Sequence, residues 1–394
     1  MKQTRGHLVP YLISAAVLAF AALFVLSPDR AFSENENRYL QQVPAFSLKS
    51  LKDGSFTDRL VAYAADQFPL RDSFMTVKTE AELFTGRQEV NGIFVTEDGA
   101  LIEEYRRPQN TERVIRQFGK FITKTRELLA EENRALSISV MLVPTAEEIL
   151  SAKLPENAPG ADQTETIREI REGLEKTADD AGIPRPFFVP AEQALLEAAG
   201  EPGRQLYYRT DHHWTTEGAY FGYRAFCETA GLTPAPEETF TRERVTEEFR
   251  GTVWSKLNDS RFPGEAMELW QPETPMPLQV RYTDTGEERD TLYNLDYLQE
   301  KDKYSLFLDN LHSLIEITSP EAETERCLMI LKDSYANCMV PFLTRHFKKI
   351  FVFDTRSYKK GPSAFVKDHP EITDVLILYN MNTLDGDTGI GGIY

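Results

Sequence analysis

The chain has 394 residues, 41% of them hydrophobic and 27% charged, which suits a folded protein long enough for a full core plus an appended segment or large insertion. With 62 acidic residues against 44 basic ones the formal net charge is -18, and no local basic groove offsets it, so nucleic acid is excluded as a partner. Cys227, Cys327 and Cys338 are too few and too apolar in their surroundings for a disulfide framework or metal cluster, and are expected to be buried.

Lys2 and Arg5 precede an uncharged run from Leu8 to Ser27, rich in Leu, Ala, Val and Phe. Roughly 20 apolar residues, at about 1.5 Å each, are what a helix needs to cross a membrane. The run is long for a signal-peptide core, lacks a small-x-small cleavage site after Leu26 and has its positive charges on the N-terminal side. The expectation is an uncleaved anchor over residues 1–29 with all that follows outside the cytoplasm, cleavage and secretion being the alternative. Residues 30–90 then read as a polar stalk of short helices, opening with Ser33-Glu34-Asn35-Glu36-Asn37-Arg38.

At Asn91-Gly92-Ile93-Phe94-Val95 the pattern turns to strands, and residues 91–394 are expected to form the main domain. Apolar runs at Leu136–Val143, Pro186–Val189, Cys327–Leu331, Ile350–Phe353 and Val375–Leu378 have the length and composition of buried parallel strands. Between them, Thr111–Leu129, Thr164–Ala178, Ala191–Ala199 and Thr216–Ala230 carry apolar residues at helical spacing. This alternation predicts an α/β fold, a sheet with helices on both faces and its site at the carboxyl ends of the strands. Residues 232–320, rich in Pro, Glu and Thr, interrupt it and read as an insertion of irregular β structure bordering the site.

Two segments carry chemistry. In Arg209-Thr210-Asp211-His212-His213-Trp214, Asp211 and His213 stand two apart on a loop before a helix that Thr215 or Thr216 caps. At that spacing the carboxylate can take the His Nδ1 proton, which leaves Nε2 as a general base. The second segment, Cys327-Leu328-Met329-Ile330-Leu331-Lys332-Asp333-Ser334, runs a buried strand into a serine whose Oγ is exposed at the strand end, beside helical N–H groups that favour an oxyanion. Taken singly, each segment also fits a structural loop or an N-cap.

The strand followed by Asp333-Ser334 resembles the serine block of SGNH (GDSL-type) hydrolases, with Lys332 in place of the family's glycine. Asp211-His212-His213-Trp214 is similar to the signature of the DHHW protein family and to the Thr-Asp-x-His-Trp segment of alginate O-acetyltransferases. The resemblance implies an SGNH-hydrolase-like, flavodoxin-like three-layer sandwich with Ser334, His213 and Asp211 as its triad. The Asp/His loop precedes the Ser strand, so the order is circularly permuted, with the insertion lying before that strand. In cyclic order Asn380 falls at the family's oxyanion Asn, a turn residue being its other reading, and Asp354-Thr355-Arg356 stands where the Gly block belongs. Tyr208, Arg209, Trp214 and Arg356 are candidate substrate contacts, and Tyr207 and Trp254 add aromatic faces for a glycan. The implied activity is acetyl transfer to a cell-envelope or secreted polysaccharide, with a polytopic membrane acyltransferase as donor and no cofactor. An acetyl esterase and an inactive glycan-binding scaffold are the alternatives.

A phosphoesterase reading of Asp-His-His needs further metal ligands, and His7, His312, His346 and His369 lack ligand-like spacing. No metal is expected, and those four are expected to be solvated or locally capping.

Overall fold

Strands whose side chains are apolar on both faces need cover on both sides, and four such strands form the centre of this protein, with a short fifth at the sheet edge. The structure, a computed structural model, describes residues 8–33, 35, 38–130, 134–358 and 360–393. Lys2, Arg5 and His7, and Glu34, Glu36 and Asn37 of the stalk motif, lie outside the described residues. The chain divides into two compact units, one running to Asn91 and including Trp254–Arg261, the other comprising Gly92–Val253 and Phe262–Tyr394.

The larger unit holds a sheet of β1 (Ser137–Val143), β2 (Phe187–Phe188), β3 (Gln279–Tyr282), β4 (Glu288–Arg289), β5 (Leu314–Thr318), β6 (Cys327–Lys332), β7 (Lys349–Asp354) and β8 (Asp374–Asn380). Its order is β4-β3-β5-β7-β6-β8-β1-β2. From β7 to β2 the pairs are parallel, with Leu331 between Phe353 and Ile377. The strands from β4 to β5 join antiparallel at the β7 edge. Three strands of residues 232–320 thus extend the main sheet, whereas Trp254–Arg261 belong to the other unit.

Alternate residues of β6 and β8 enter two separate cores. Leu328, Ile330, Leu376 and Leu378 face the helices Ala191–Ala199 and Thr216–Thr229. Met329, Leu331, Val375 and Ile377 face Thr111–Ala130 and Gln163–Asp180. The result is three layers, helix on sheet on helix. Helix Thr111–Ala130 forms because Val114, Phe118, Phe121, Ile122 and Leu129 share one buried face. Gln163–Asp180 begins where the Asp162 side chain accepts from the Glu165 N–H, and Thr216–Thr229 where Thr215 accepts from Gly218. All three cysteines are free and buried.

In the smaller unit, helices Leu48–Lys52, Ser55–Asp66 and Arg71–Phe84 follow the apolar helix Leu8–Leu26. That helix contains an 18-residue window, Val9–Leu26, long and apolar enough to cross a membrane.

Ile330 is fully buried on β6. Ile330→Ala should lower the unfolding free energy by about 2–5 kcal/mol in a denaturant titration, through lost burial and a residual cavity. Leu196→Ala, at a half-exposed helix position, should cost far less.

Candidate active site

The carboxyl end of β6 runs into Asp333, whose side chain accepts from the Tyr335 N–H and so starts a short 3-10 turn, Ser334–Cys338. The cap is Asp333, which leaves the Ser334 hydroxyl free of that duty. A second Asp333 oxygen accepts from the Asn380 N–H at 2.6 Å and from Thr383 Oγ1 at 2.6 Å. This buried carboxyl ties the ends of β6 and β8 together, and burial pushes its pKa up despite those bonds. Ser334 remains half-buried. Among the described residues no partner takes its backbone N–H.

On the other segment, Asp211 Oδ1 lies 2.5 Å from His213 Nδ1, and His213 Nε2 lies 2.7 Å from Ser334 Oγ. Asp211 Oδ1 also accepts from the His213 N–H, and Oδ2 accepts from the Thr252 N–H and hydroxyl. Burial alone would raise the Asp211 carboxyl. The imidazoles of His212 and His213 and these hydrogen bonds outweigh it and hold the group well below the usual carboxylate range. Burial pushes the His213 imidazole down to about 4, aided by His212 and opposed by Asp211. At neutral pH the pair is therefore an ionised Asp211 and a neutral His213, donating from Nδ1 and accepting at Nε2.

Parts of residues 232–320 complete this arrangement, and sequence reasoning did not find them. Gly251 passes so close that a Cβ there would overlap the Asp211 carboxylate. Glu265 accepts from the N–H groups of Arg209 and Thr210 and from the Thr210 hydroxyl, which fixes the loop one residue before Asp211. Tyr304 stacks flat on the His213 ring, at 3.7 Å and 8°, and donates to the Ser334 carbonyl at 3.2 Å. A Pro/Glu/Thr-rich stretch gave no period from which these three could be picked out.

Several candidates need correction. Trp214 is fully buried, and its Nε1 donates to the Tyr335 carbonyl while the Tyr335 hydroxyl donates to the His212 carbonyl. The indole braces the two segments, under a helix position that must be glycine, since a Cβ at Gly222 would come within 2.8 Å of the ring. Tyr208 is buried edge-on against Phe249 and Tyr304, and Tyr207 and Trp254 are buried as well, so none of these four presents a face to a glycan. Asn380 donates from Nδ2 to the Val143 carbonyl and accepts from the Asn382 N–H. Its side chain bonds neither Ser334 nor His213, and one of the two Nδ2 N–H groups is held by Val143. Arg209 is exposed, with its guanidinium on the Asp98 carbonyl. Arg356 grips Asp354 with two donors, beside buried Lys332, whose Nζ lies 3.7 Å from the same carboxylate. Neither arginine bonds Ser334 or His213.

Asp211, His212 and His213 offer oxygen and nitrogen atoms close enough together for a metal ion. Both His213 nitrogens are already engaged, however, and His212 Nδ1 is paired with Thr252 Oγ1 at 2.6 Å. That donor set fits a proton relay better than a metal centre. His346, between Tyr223 and Glu323, and His312, between Asp284 and Asp309, are buried rather than solvated.

With this geometry in place the comparisons are informative. Residues 200–353, which hold both segments, match the model of the DHHW protein family. The chain is similar to a solved DHHW family protein from Eubacterium siraeum, at 24% identity and a TM-score of 0.62, over 77% of this chain and 96% of that one. It is also similar to Bacillus cereus PatB1, solved with a sulfonyl adduct, at 21% identity and a TM-score of 0.59, over 77% of this chain and 98% of that one. The O-acetyltransferase domain of Pseudomonas putida AlgJ is a more distant likeness, at 15% identity and a TM-score of 0.42, over 75% and 93% of the two chains. No curated protein matches the chain. The protein is thus a mixed α/β protein with a mostly parallel central sheet and the DHHW segment at the sheet's carboxyl end.

Two measurements check the site without any substrate. The His213 imidazole should stay neutral until the pH falls to about 4, seen as a ring-carbon NMR titration well below the ordinary histidine range, the charged form appearing only on the acid side. Gly251→Ala should displace the Asp211 carboxylate and abolish the downfield signal of the proton held between Asp211 and His213.

Proposed function

We propose that this chain is an extracytoplasmic serine acyltransferase of the SGNH type, which moves an acetyl group to a polysaccharide hydroxyl through an acetyl-Ser334 intermediate. The observation that carries this reading is the bridging of Asp211 and Ser334 by His213, at 2.5 and 2.7 Å, from segments 121 residues apart. Such an aligned relay has little use in a pure binding module.

Strand order supports the circularly permuted SGNH assignment. Counted cyclically from β6, then β7, β8, β1 and β2, the parallel strands stand in the order 2-1-3-4-5 of flavodoxin-like sheets. Ser334 follows the first strand of that count, beside the point where the order reverses, the usual ligand position in open α/β sheets.

In the first half-reaction, His213 Nε2 takes the Ser334 proton as Oγ attacks the acetyl carbonyl. The oxyanion forms beside the Ser334 N–H. Collapse of the tetrahedral intermediate breaks the bond to the donor's oxygen, which leaves with the proton from His213. In the second, the acceptor hydroxyl gives its proton to His213 and attacks the acetyl-serine, and Ser334 leaves reprotonated. Asp211 keeps the tautomer and stabilises the transient imidazolium.

Placement outside the cytoplasm, a polysaccharide acceptor and a polytopic membrane acyltransferase as donor rest on the apolar helix Leu8–Leu26 and on the resemblance to the DHHW and alginate O-acetyltransferase families. PatB1's sulfonyl adduct makes a sulfonyl fluoride the natural active-site probe.

Ser334→Ala and His213→Ala should each abolish acetyl transfer from an activated ester, and their combination should be little worse than either alone. Asp211→Asn should lose activity through the wrong tautomer, and His212→Ala should be much milder. The reaction is followed by mass spectrometry with candidate envelope oligosaccharides as acceptors. Steady loss of acetyl from acetylated glycans, with no transfer to any acceptor, would instead make the protein an acetyl esterase.

A further inference from the structure

Within the smaller unit, Phe20 of helix Leu8–Leu26 stacks on Phe68 with ring centroids 5.5 Å apart and meets Phe74 at 5.7 Å. Phe74 belongs to a second feature. Leu70, Phe74, Val77, Ala81 and Phe84 recur every three or four residues, so they share one face of helix Arg71–Phe84. The opposite face is used inside the unit, where Thr76 Oγ1 donates to the Asn258 carbonyl at 2.8 Å and Thr79 Oγ1 to the Leu257 carbonyl at 3.1 Å. The apolar stripe is left uncovered, with Leu70 63%, Phe74 48%, Val77 61% and Phe84 91% exposed. A contiguous run of large apolar side chains in water calls for an occupant.

The contact with Phe20 indicates which one. Phe20 lies roughly 9 Å along the helix axis before the end at Leu26, at about 1.5 Å per residue. If Leu8–Leu26 spans the membrane, Phe20 is inside the hydrocarbon, and the Phe68 and Phe74 rings that touch it lie at or below the membrane surface. A helix that starts there with large apolar side chains exposed can bury them by lying along the boundary. Its length and its one-sided pattern are those of a helix lying in an interface.

We propose that Arg71–Phe84 is a second, interfacial membrane contact, with the stripe from Leu70 to Phe84 embedded in the outer leaflet of a lipid bilayer. The proposal rests on the reading of Leu8–Leu26 as membrane-spanning. It adds a function to the segment after the anchor, which then holds the chain down on the membrane surface and is more than a spacer.

The test uses the full chain in phosphatidylcholine vesicles whose lipids carry a nitroxide quencher either near the headgroup or deep in the acyl chain. The native tryptophans, Trp214, Trp254 and Trp270, are buried and supply a constant background. Val77→Trp and Phe84→Trp alter exposed positions, and Val17→Trp, exposed on the spanning helix, reports the anchor itself. The expected result is blue-shifted emission and loss of fluorescence with the shallow quencher for Val77→Trp and Phe84→Trp, and with the deep quencher for Val17→Trp. Quenching of Val17→Trp alone would overturn the interfacial helix while leaving the anchor standing, and disulfide-linked dimers of Val77→Cys would then assign the stripe to a second copy. Quenching of none of the three would overturn the membrane reading and the proposal with it.

Discussion

The site depends on one buried carboxylate. Asp211 cannot be left ionised in the interior unless its oxygens are hydrogen-bonded, since an unsatisfied buried polar group costs about 1–3 kcal/mol and a charged one more. Here the need is met by four hydrogen bonds, two from His213 and two from Thr252. The same bonds that make the charge tolerable also orient the imidazole. Stabilising Asp211 and pointing His213 Nε2 at Ser334 are one constraint, and it explains why Gly251 can carry no side chain.

That constraint reaches outward through braces between distant parts of the chain. Trp214 and Tyr335 exchange hydrogen bonds between the Asp/His loop and the serine turn, each through the other segment's backbone. Asp333 secures the turn to the end of β8, and Tyr304 covers the imidazole while holding the Ser334 carbonyl. Each brace lies at the carboxyl end of the parallel strands, where the sheet stops and its chain ends must be fixed by side chains. The arrangement is preorganised, and a low-dielectric setting makes its few dipoles count for more.

Legibility in the sequence followed the strength of local pattern. Four parallel strands and four long helices were readable because each carries a buried apolar run or face, whereas Pro186–Val189, expected as a buried strand, supplies only the short edge strand Phe187–Phe188 with Phe187 exposed. Asp211, His213 and Ser334 stood out because their chemistry is rare at those junctions. The antiparallel strands Gln279–Tyr282, Glu288–Arg289 and Leu314–Thr318 were not, since short strands in a Pro- and Thr-rich stretch owe their form to the neighbour they pair with. The aromatics were misjudged for a related reason. Tyr208 and Trp214 sit in a polar motif that suggests exposure, yet the loop turns them into the core. Asn380 lay at the expected strand end, but only the fold reveals that its amide bonds Val143.

The central claim is that the relay activates Ser334 to carry an acyl group, and the most direct measurement is to trap that intermediate. The protein is mixed with an activated acetyl ester, quenched in acid within one turnover, digested and analysed by tandem mass spectrometry. The account predicts one acetyl group on the peptide containing Ser334, attached at that serine and absent in the Ser334→Ala and His213→Ala variants. Acetyl found on another residue, or turnover of the ester with Ser334 never modified, would contradict it.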